Sequence, residues 1–477
     1  MKSYFTYLLI FIGLFNVHIT ESKENRQAAQ FQQWSTIESK VDHLVKSYLD
    51  LDIFSGVVLI AEKGKPVYHK AFGLADRERN IKNTLHTKFD IGSMNKTFTK
   101  VIILQLVEQG KLKLEDKLRD FLPQFDSNEY AGVTIEHLLN HSAGFGDYYS
   151  SEGFFELPVS EKDIESLVQR IRQIPLLFKP GEQMEYSNSG YILLGAVIEK
   201  ATKKTYHQVV KERIVEPLGL TETYVKDKYN VPERAIGYFK NMKGELRDNA
   251  GFVEVPNPDG GFQSTALDVM KFYREFHHGH GILKETTKMK DEFFRMTRDH
   301  LNTGGAIPHA GGFNGANSVN FEILRDQITI TVLANMNEPV AEQLGLGILN
   351  IIRNKEPEQP SLPAIENIYL AYTEKGIDYI RDHFESLTVN FHPTDPKALI
   401  LNQVGYGFLW ENQTEKAIEV FRLNTELFGA EDANVWDSLG EAYLKNGNKK
   451  KALKYYEKAL KMDPKLQSAK DVLEKIR

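Results

Sequence analysis

Strand-forming sequence is concentrated at two places far apart in the chain, and this split constrains the fold more than any other feature. At the first, residues 57–61 read as a strand, 62–65 as a turn and 66–72 as the returning strand. Pro66 is confined to a strand start or an edge, because it has no N–H to give to a ladder. At the second, residues 319–324 alternate, 325–327 turn, and 328–334 are β-branched and apolar. The sequence between is mostly helical in pattern, and Ile37, Val41, Leu44, Val45 and Tyr48 recur at helical spacing ahead of the first hairpin. Strands from both ends of a domain with a helical middle imply an α+β fold: an antiparallel sheet flanked by helices and carrying an all-helical lobe. A cleft between two such lobes is a common ligand site.

A second unit follows. Residues 356–363 hold three prolines and suit neither a helix nor a central strand, so they read as a linker between a domain over 23–355 and an α-helical one over 364–477. In the latter, Trp436, Leu439, Gly440, Tyr443, Ala452, Tyr456, Ala459 and Pro464 fall at the spacing of a tetratricopeptide repeat, best defined over 433–466. A weaker copy has Leu401, Val404, Gly405, Phe408, Ala417 and Phe421. Such repeats dock a protein partner or brace their own neighbour.

At the other end, Met1 to Ser3 precede an apolar run from Tyr4 to Phe15, and polar residues take over from Asn16. Residues 1–22 therefore read as an export signal whose apolar run is too short to span a bilayer, so the expected protein is periplasmic or extracellular with no membrane span in the mature chain. An uncleaved anchor is the alternative, since Thr20, Glu21 and Ser22 make a poor cleavage site. The chain has no cysteine, which removes thiol nucleophiles, thiolate metal sites and redox pairs. A net charge of −6 gives no attraction to nucleic acid.

Three elements carry chemistry. Ser93 lies where a loop enters an amphipathic helix, and Lys96, at i+3, shares its helix face. A neutral amine there can accept the serine proton. Taken alone the pair is weak, and a helix-capping serine beside a solvated lysine accounts for it as well. Tyr186 and Asn188 form the one Tyr-x-Asn of the chain. A lysine cation beside the tyrosine would stabilise its phenolate as a proton acceptor, and the asparagine offers both donor and acceptor. A packed aromatic before a helix is the bland reading. Third, His309-x-Gly311-Gly312 precedes the second strand pair, where glycines let a substrate approach an edge strand.

Ser93-x-x-Lys96, Tyr186-x-Asn188 and His309-x-Gly311, in this order and spacing, resemble the penicillin-recognising serine hydrolases: class C β-lactamases, DD-peptidases and related esterases. The flanking runs 133–145 and 260–268 also look like that superfamily. The resemblance spans about Ile37 to Asn354 and implies acylation of Ser93 by an ester, amide or peptide substrate. Lys96 and Tyr186 would share the proton and Asn188 would orient lysine and substrate. The backbone N–H groups of Ser93 and Gly312 would form the oxyanion hole, Gly311 would lie on the substrate wall, and His309 would be a proton-sensitive donor. No metal or cofactor is implied.

Two departures bear on substrate. The third motif opens with His rather than the lysine of most β-lactamases, which favours esterase or peptidase; Arg295 or Arg298 are candidates for the missing charge, though both suit a surface position. Residues 293–302 show no clear alternation, so the sheet is expected to lack a strand there. His137 and His141 have the spacing of a zinc helix without the glutamate a metalloprotease needs, and 277–280 reads as a solvated turn closing a helix. Two functions remain: an exported serine hydrolase, or a weakly active or non-catalytic penicillin-binding-like protein whose repeats bind a protein.

Overall fold

The computed structural model describes residues 32 and 34–476, apart from 152, 250–254, 299 and 392–394. The expected export segment, 1–22, lies outside the described residues. A five-stranded antiparallel sheet is built from β1 (Gly56–Glu62), β2 (Lys65–Phe72), β3 (Ala306–Phe313), β4 (Ala316–Ile323) and β5 (Ile328–Ala334), in the order β2-β1-β5-β4-β3. The two hairpins join through β1 and β5, with Val58 opposite Val332 and Ile60 opposite Ile330.

Both faces of the sheet are covered, and the alternation of β1 serves two cores. Val57, Leu59 and Ala61 point into one with Phe98, Val101 and Ile102 of helix α2 (Lys96–Glu108), Leu193 and Val197 of α3 (Asn188–Thr202) and Phe272 and Phe276 of α4 (Ala266–His278). Val58 and Ile60 point the other way, into a layer with Val41, Val45 and Tyr48 of the helix over 34–50 and Leu344 and Ile348 of α5 (Val340–Ile352). The helical lobe expected between the hairpins is thus present. The described residues of 293–302 are not strand: Glu292–Arg298 and His300–Thr303 are short helices, and the third motif itself occupies the edge strand β3.

Residues 355–363 form neither helix nor strand. Among the described residues seven helices follow: α6 (Ala364–Lys375), α7 (Ile377–Leu387), α8 (Ala398–Trp410), α9 (Thr414–Phe428), α10 (Asn434–Lys445), α11 (Lys449–Met462) and α12 (Gln467–Ile476). The repeat spacing works as its residue sizes require. A Cβ on Gly440 would lie 3.2 Å from the Tyr456 ring, and one on Gly405 would come within 2.5 Å of Phe421, so large side chains fill the room that glycine leaves.

The two units meet through a short hairpin, Tyr238–Lys240 paired with Leu246–Asp248. Its Met242 is buried in the core of the repeats against Gly407, while Lys240 pairs with Glu366 at 3.3 Å and Lys243 with Glu411 at 2.5 Å. Truncating a buried methionine costs about 2–5 kcal/mol. Met242→Ala should therefore lower the urea midpoint of the repeats, followed by the fluorescence of Trp410 and Trp436. No helix among the described residues is long and apolar enough to cross a membrane.

Candidate active site

Ser93 stands in a 3-10 turn, Gly92–Asn95, that runs directly into α2. The turn touches β3 backbone to backbone. A Cβ on Gly311 would come within 2.3 Å of the Ile91 carbonyl oxygen and 2.7 Å of Ser93 N, and one on Gly92, where φ is +50°, within 2.8 Å of Gly312 N. Glycine on both sides is what lets the serine turn and the edge strand meet. The Ser318 hydroxyl of β4 donates to the Ile91 carbonyl at 2.9 Å and holds the junction.

Lys96 is buried one turn further along. Its Nζ donates to Ser93 Oγ at 3.0 Å, Asn188 Oδ1 at 2.6 Å and the Asp259 carbonyl oxygen at 2.6 Å, so three acceptors meet the three N–H groups of an ammonium. Tyr186 Oη donates to the same Ser93 Oγ at 2.7 Å, and the Lys96 ammonium lies 4.9 Å from the tyrosine ring centre. Asn188 opens α3. Its Nδ2 donates to Asp147 Oδ2 at 2.7 Å, which turns its carbonyl oxygen toward Lys96. Ser93, Lys96, Tyr186 and Asn188, distant in sequence, therefore form one hydrogen-bonded group, and Gly311 and Gly312 border it through the serine turn.

His309 lies on the same cleft but differs from expectation. Its ring is buried against Tyr273, with centroids 4.2 Å apart, and its Nε2 shares a hydrogen bond with His277 Nε2 at 2.8 Å. Burial, helped by the nearby Lys100 cation, pushes His309 down to about 3, so it is no proton-sensitive group near neutrality. The same bond corrects the solvated turn expected at 277–280: His277 is buried inside α4 and held well below its usual value by burial, and of the cluster His280 is exposed.

His137 and His141 have structural partners. Nδ1 of His137 accepts the Thr134 N–H at 3.4 Å, and Nδ1 of His141 accepts from Ser187 N at 3.2 Å while its ring stacks on Tyr186 at 4.6 Å. Burial, then the Lys96 and Lys100 cations, push His141 down to about 4. No group of three His, Cys, Asp or Glu among the described residues is arranged to hold a metal.

Two cavities open at Ser93. The larger, about 1010 Å³, has Lys96, Lys100, Tyr186, Tyr273, Phe293 and His309 in its wall; the smaller, about 330 Å³, has Asn188, Asp259, Gly312 and Glu338. Arg295 and Arg298 line neither: Arg295 donates to the carbonyls of Met289 and Lys290, and Arg298 pairs with Glu285. Lys100 is the cation that sequence reasoning passed over, although its place four residues after Lys96 on one helix face was a usable signal. Asp147, Asp259 and His277 gave no such signal, since their partners lie on other segments.

The Beta-lactamase family model matches residues 38–349. The chain belongs to the Beta-lactamase family. A tetratricopeptide repeat model matches residues 433–466 of this Beta-lactamase family member. It is 29% identical over 315 residues to penicillin-binding protein 4* of Bacillus subtilis, covering 60% of this chain and 69% of that one. To protein flp of Staphylococcus aureus it is 31% identical over 338 residues, covering 64% and 65%. Among solved structures, a penicillin-binding protein from Bacillus halodurans matches with a TM-score of 0.55 at 25% identity, covering 65% of this chain and 98% of that one. The octameric penicillin-binding protein homologue from Pyrococcus abyssi matches at 0.54 and 26%, covering 72% and 82%. Penicillin-binding proteins are thus among the proteins it is similar to, and a D-amino acid amidase from Ochrobactrum anthropi, 21% identical, shares the fold with a TM-score of 0.55.

The buried histidines of this Beta-lactamase fold make its stability depend on pH. His141 and His309 stay neutral when folded but take up protons in the unfolded chain near pH 6.5, so the unfolded state binds more protons as pH falls. Their contribution is complete above about pH 6.5 and is lost on acidification toward about 4 and 3, at up to roughly 1.4 kcal/mol per pH unit for each group. Urea unfolding at pH 7, 6 and 5 should show this decline, and His309→Gln should make it shallower.

Proposed function

We propose that this protein is an exported serine hydrolase that forms an acyl-enzyme on Ser93 from an ester or amide, as an esterase or peptidase rather than a true β-lactamase. The observation that carries the reading is the convergence of Lys96 and Tyr186 on Ser93 Oγ, at 3.0 and 2.7 Å. In acylation, Ser93 Oγ bonds to the substrate carbonyl carbon and the bond to the leaving group breaks. The step requires the Lys96–Tyr186 pair to be one proton short, as a Tyr186 phenolate beside the lysine cation; the serine proton then passes to Tyr186 Oη and on to the leaving oxygen or nitrogen. Water then gives a proton to the same pair and its oxygen bonds to the acyl carbon, and Ser93 leaves as it regains a proton.

The N–H groups of Ser93 and Gly312 hold the oxyanion, each such donor being worth roughly 2.7–4 kcal/mol in other serine hydrolases. The contact between the glycine pair of β3 and the serine turn supports that role. A neutral His309, in the position where a β-lactamase would carry lysine, supports the esterase or peptidase reading. The signal pattern of residues 1–22 supports export, and the repeats suit docking to a protein partner.

The test is covalent labelling of the full chain with a fluorophosphonate, mapped by peptide mass spectrometry. The expected result is one adduct, on Ser93, absent from Ser93→Ala. An unlabelled wild-type protein, or equal labelling of the variant, would overturn the assignment.

A further inference from the structure

Lys100 points into the cleft from the same face of α2 as Lys96, one turn on, but it is already engaged. Its Nζ lies 2.9 Å from Asp291 Oδ2, with both side chains buried, and 5.2 Å from the centre of the Phe293 ring. The other Asp291 oxygen accepts the Phe294 N–H at 2.9 Å, so the carboxylate caps the helix Glu292–Arg298 while it holds the lysine. That helix supplies Phe293 and Met296 to the cleft wall. Removing Lys100 from Asp291 would leave a buried carboxylate without its cation, which is strongly unfavourable.

The remaining charge in the cleft runs against anions. Lys96 has all three N–H groups on protein acceptors, and the two cations share the wall with Glu136, Glu182 and Glu292. Apolar side chains fill much of the rest. Met184 and Met296 stand in its mouth 80% and 67% exposed, beside Phe293, Tyr273 and Phe276, and apolar surface held in water this way is relieved by an apolar ligand.

We propose that the Lys100–Asp291 ion pair is a specificity device: by locking the second cation of the cleft, it selects uncharged apolar acyl groups and rejects acyl groups that bear a carboxylate. The proposal rests on the serine hydrolase reading for its chemistry. A substrate carboxylate would have to break the pair and uncap a helix to reach Lys100, whereas a hydrocarbon chain need displace no protein partner.

The test compares p-nitrophenyl hexanoate with the mono-p-nitrophenyl ester of adipic acid, matched in chain length, on the full-length protein. The native enzyme is expected to favour hexanoate by at least 100-fold in kcat/KM. Asp291→Asn keeps a helix-capping side chain and frees the cation, and should raise the adipate-to-hexanoate ratio at least tenfold. Adding Lys100→Gln to that variant should cancel the gain, which a merely structural disturbance would not do. Met184→Lys, at an exposed position that does not depend on the buried pair, should raise the ratio as well.

Equal kcat/KM for the two esters in the native enzyme, or an unchanged ratio in Asp291→Asn and Met184→Lys, would overturn the proposal. Binding of hexanamide and adipic acid monoamide to Ser93→Ala, followed by ligand-observed NMR, separates it from the hydrolase reading. Absent turnover with a preference for hexanamide would sink the hydrolase reading and support the filter; no preference between the amides would sink the filter.

Discussion

Ser93→Ala is expected to lower kcat on any ester that the native enzyme turns over by at least about 10³-fold, with the fold retained. In serine hydrolases, loss of the nucleophile leaves only what the oxyanion hole and binding supply. The alanine methyl fits where the serine Cβ stood, but Lys96 Nζ loses one of its three acceptors and Tyr186 Oη loses its partner. Tyr186 is 54% exposed, so water can take up its hydroxyl, and the stability change should stay within about 1–2 kcal/mol. Stopped-flow hydrolysis of a p-nitrophenyl ester, with circular dichroism and urea unfolding of the same preparations, measures both. Native-like turnover in the variant would mean that Ser93 is not the nucleophile.

Gly311→Ala should be nearly as damaging for a different reason. Its Cβ would have to sit 2.3 Å from the Ile91 carbonyl oxygen, 2.7 Å from Ser93 N and 2.8 Å from Met94 N, all of them backbone atoms that cannot rotate away. Either β3 moves off the serine turn or the turn moves off β3. Overpacking of this kind costs about 1–3 kcal/mol, and a 1 Å displacement of reacting groups can cost about 10²-fold in rate. The expected outcome is a folded, somewhat destabilised protein whose kcat falls at least about 100-fold while KM changes little. Gly312→Ala makes a useful contrast. The nearest obstacle there is the end of the Glu338 side chain, which can swing aside, so the penalty should be smaller.

The legible parts of this molecule were those written in local pattern. Apolar, strand-forming runs at 57–61 and 328–334 and the alternation of 319–324 set out the two hairpins, and because neighbouring strand residues face opposite ways Leu59 and Ile60 fall in opposite cores. The repeat positions from Trp436 to Pro464 announced helix pairs because small and large residues must interlock at fixed spacing. Ser93, Lys96, Tyr186 and Asn188 stood out by motif, and the structure brings them together.

Charge partners between segments were not legible. Nothing near Lys100 in sequence names Asp291, and nothing near His309 names His277. Each pair forms because separate elements pack on the same cavity, so the sequence of 277–280 alone looks like an ordinary solvated helix end. The helix over 292–298 is hard to see in sequence for a related reason: its capping residue, Asp291, faces a lysine on another helix as well as its own first turn.

The strand order has a consequence for the chain as it emerges during synthesis. β1 lies between β2, made next to it, and β5, made near the end of the first unit, so the central pairing of the sheet cannot form until residue 334 is available. The turn that holds Ser93 is complete long before that, yet the glycines it packs against arrive only with β3, from residue 306 onward. A chain that ends before residue 306 therefore carries the serine without its wall. Long-range pairing of this kind slows folding, and here it also ties assembly of the reactive centre to near-completion of the domain.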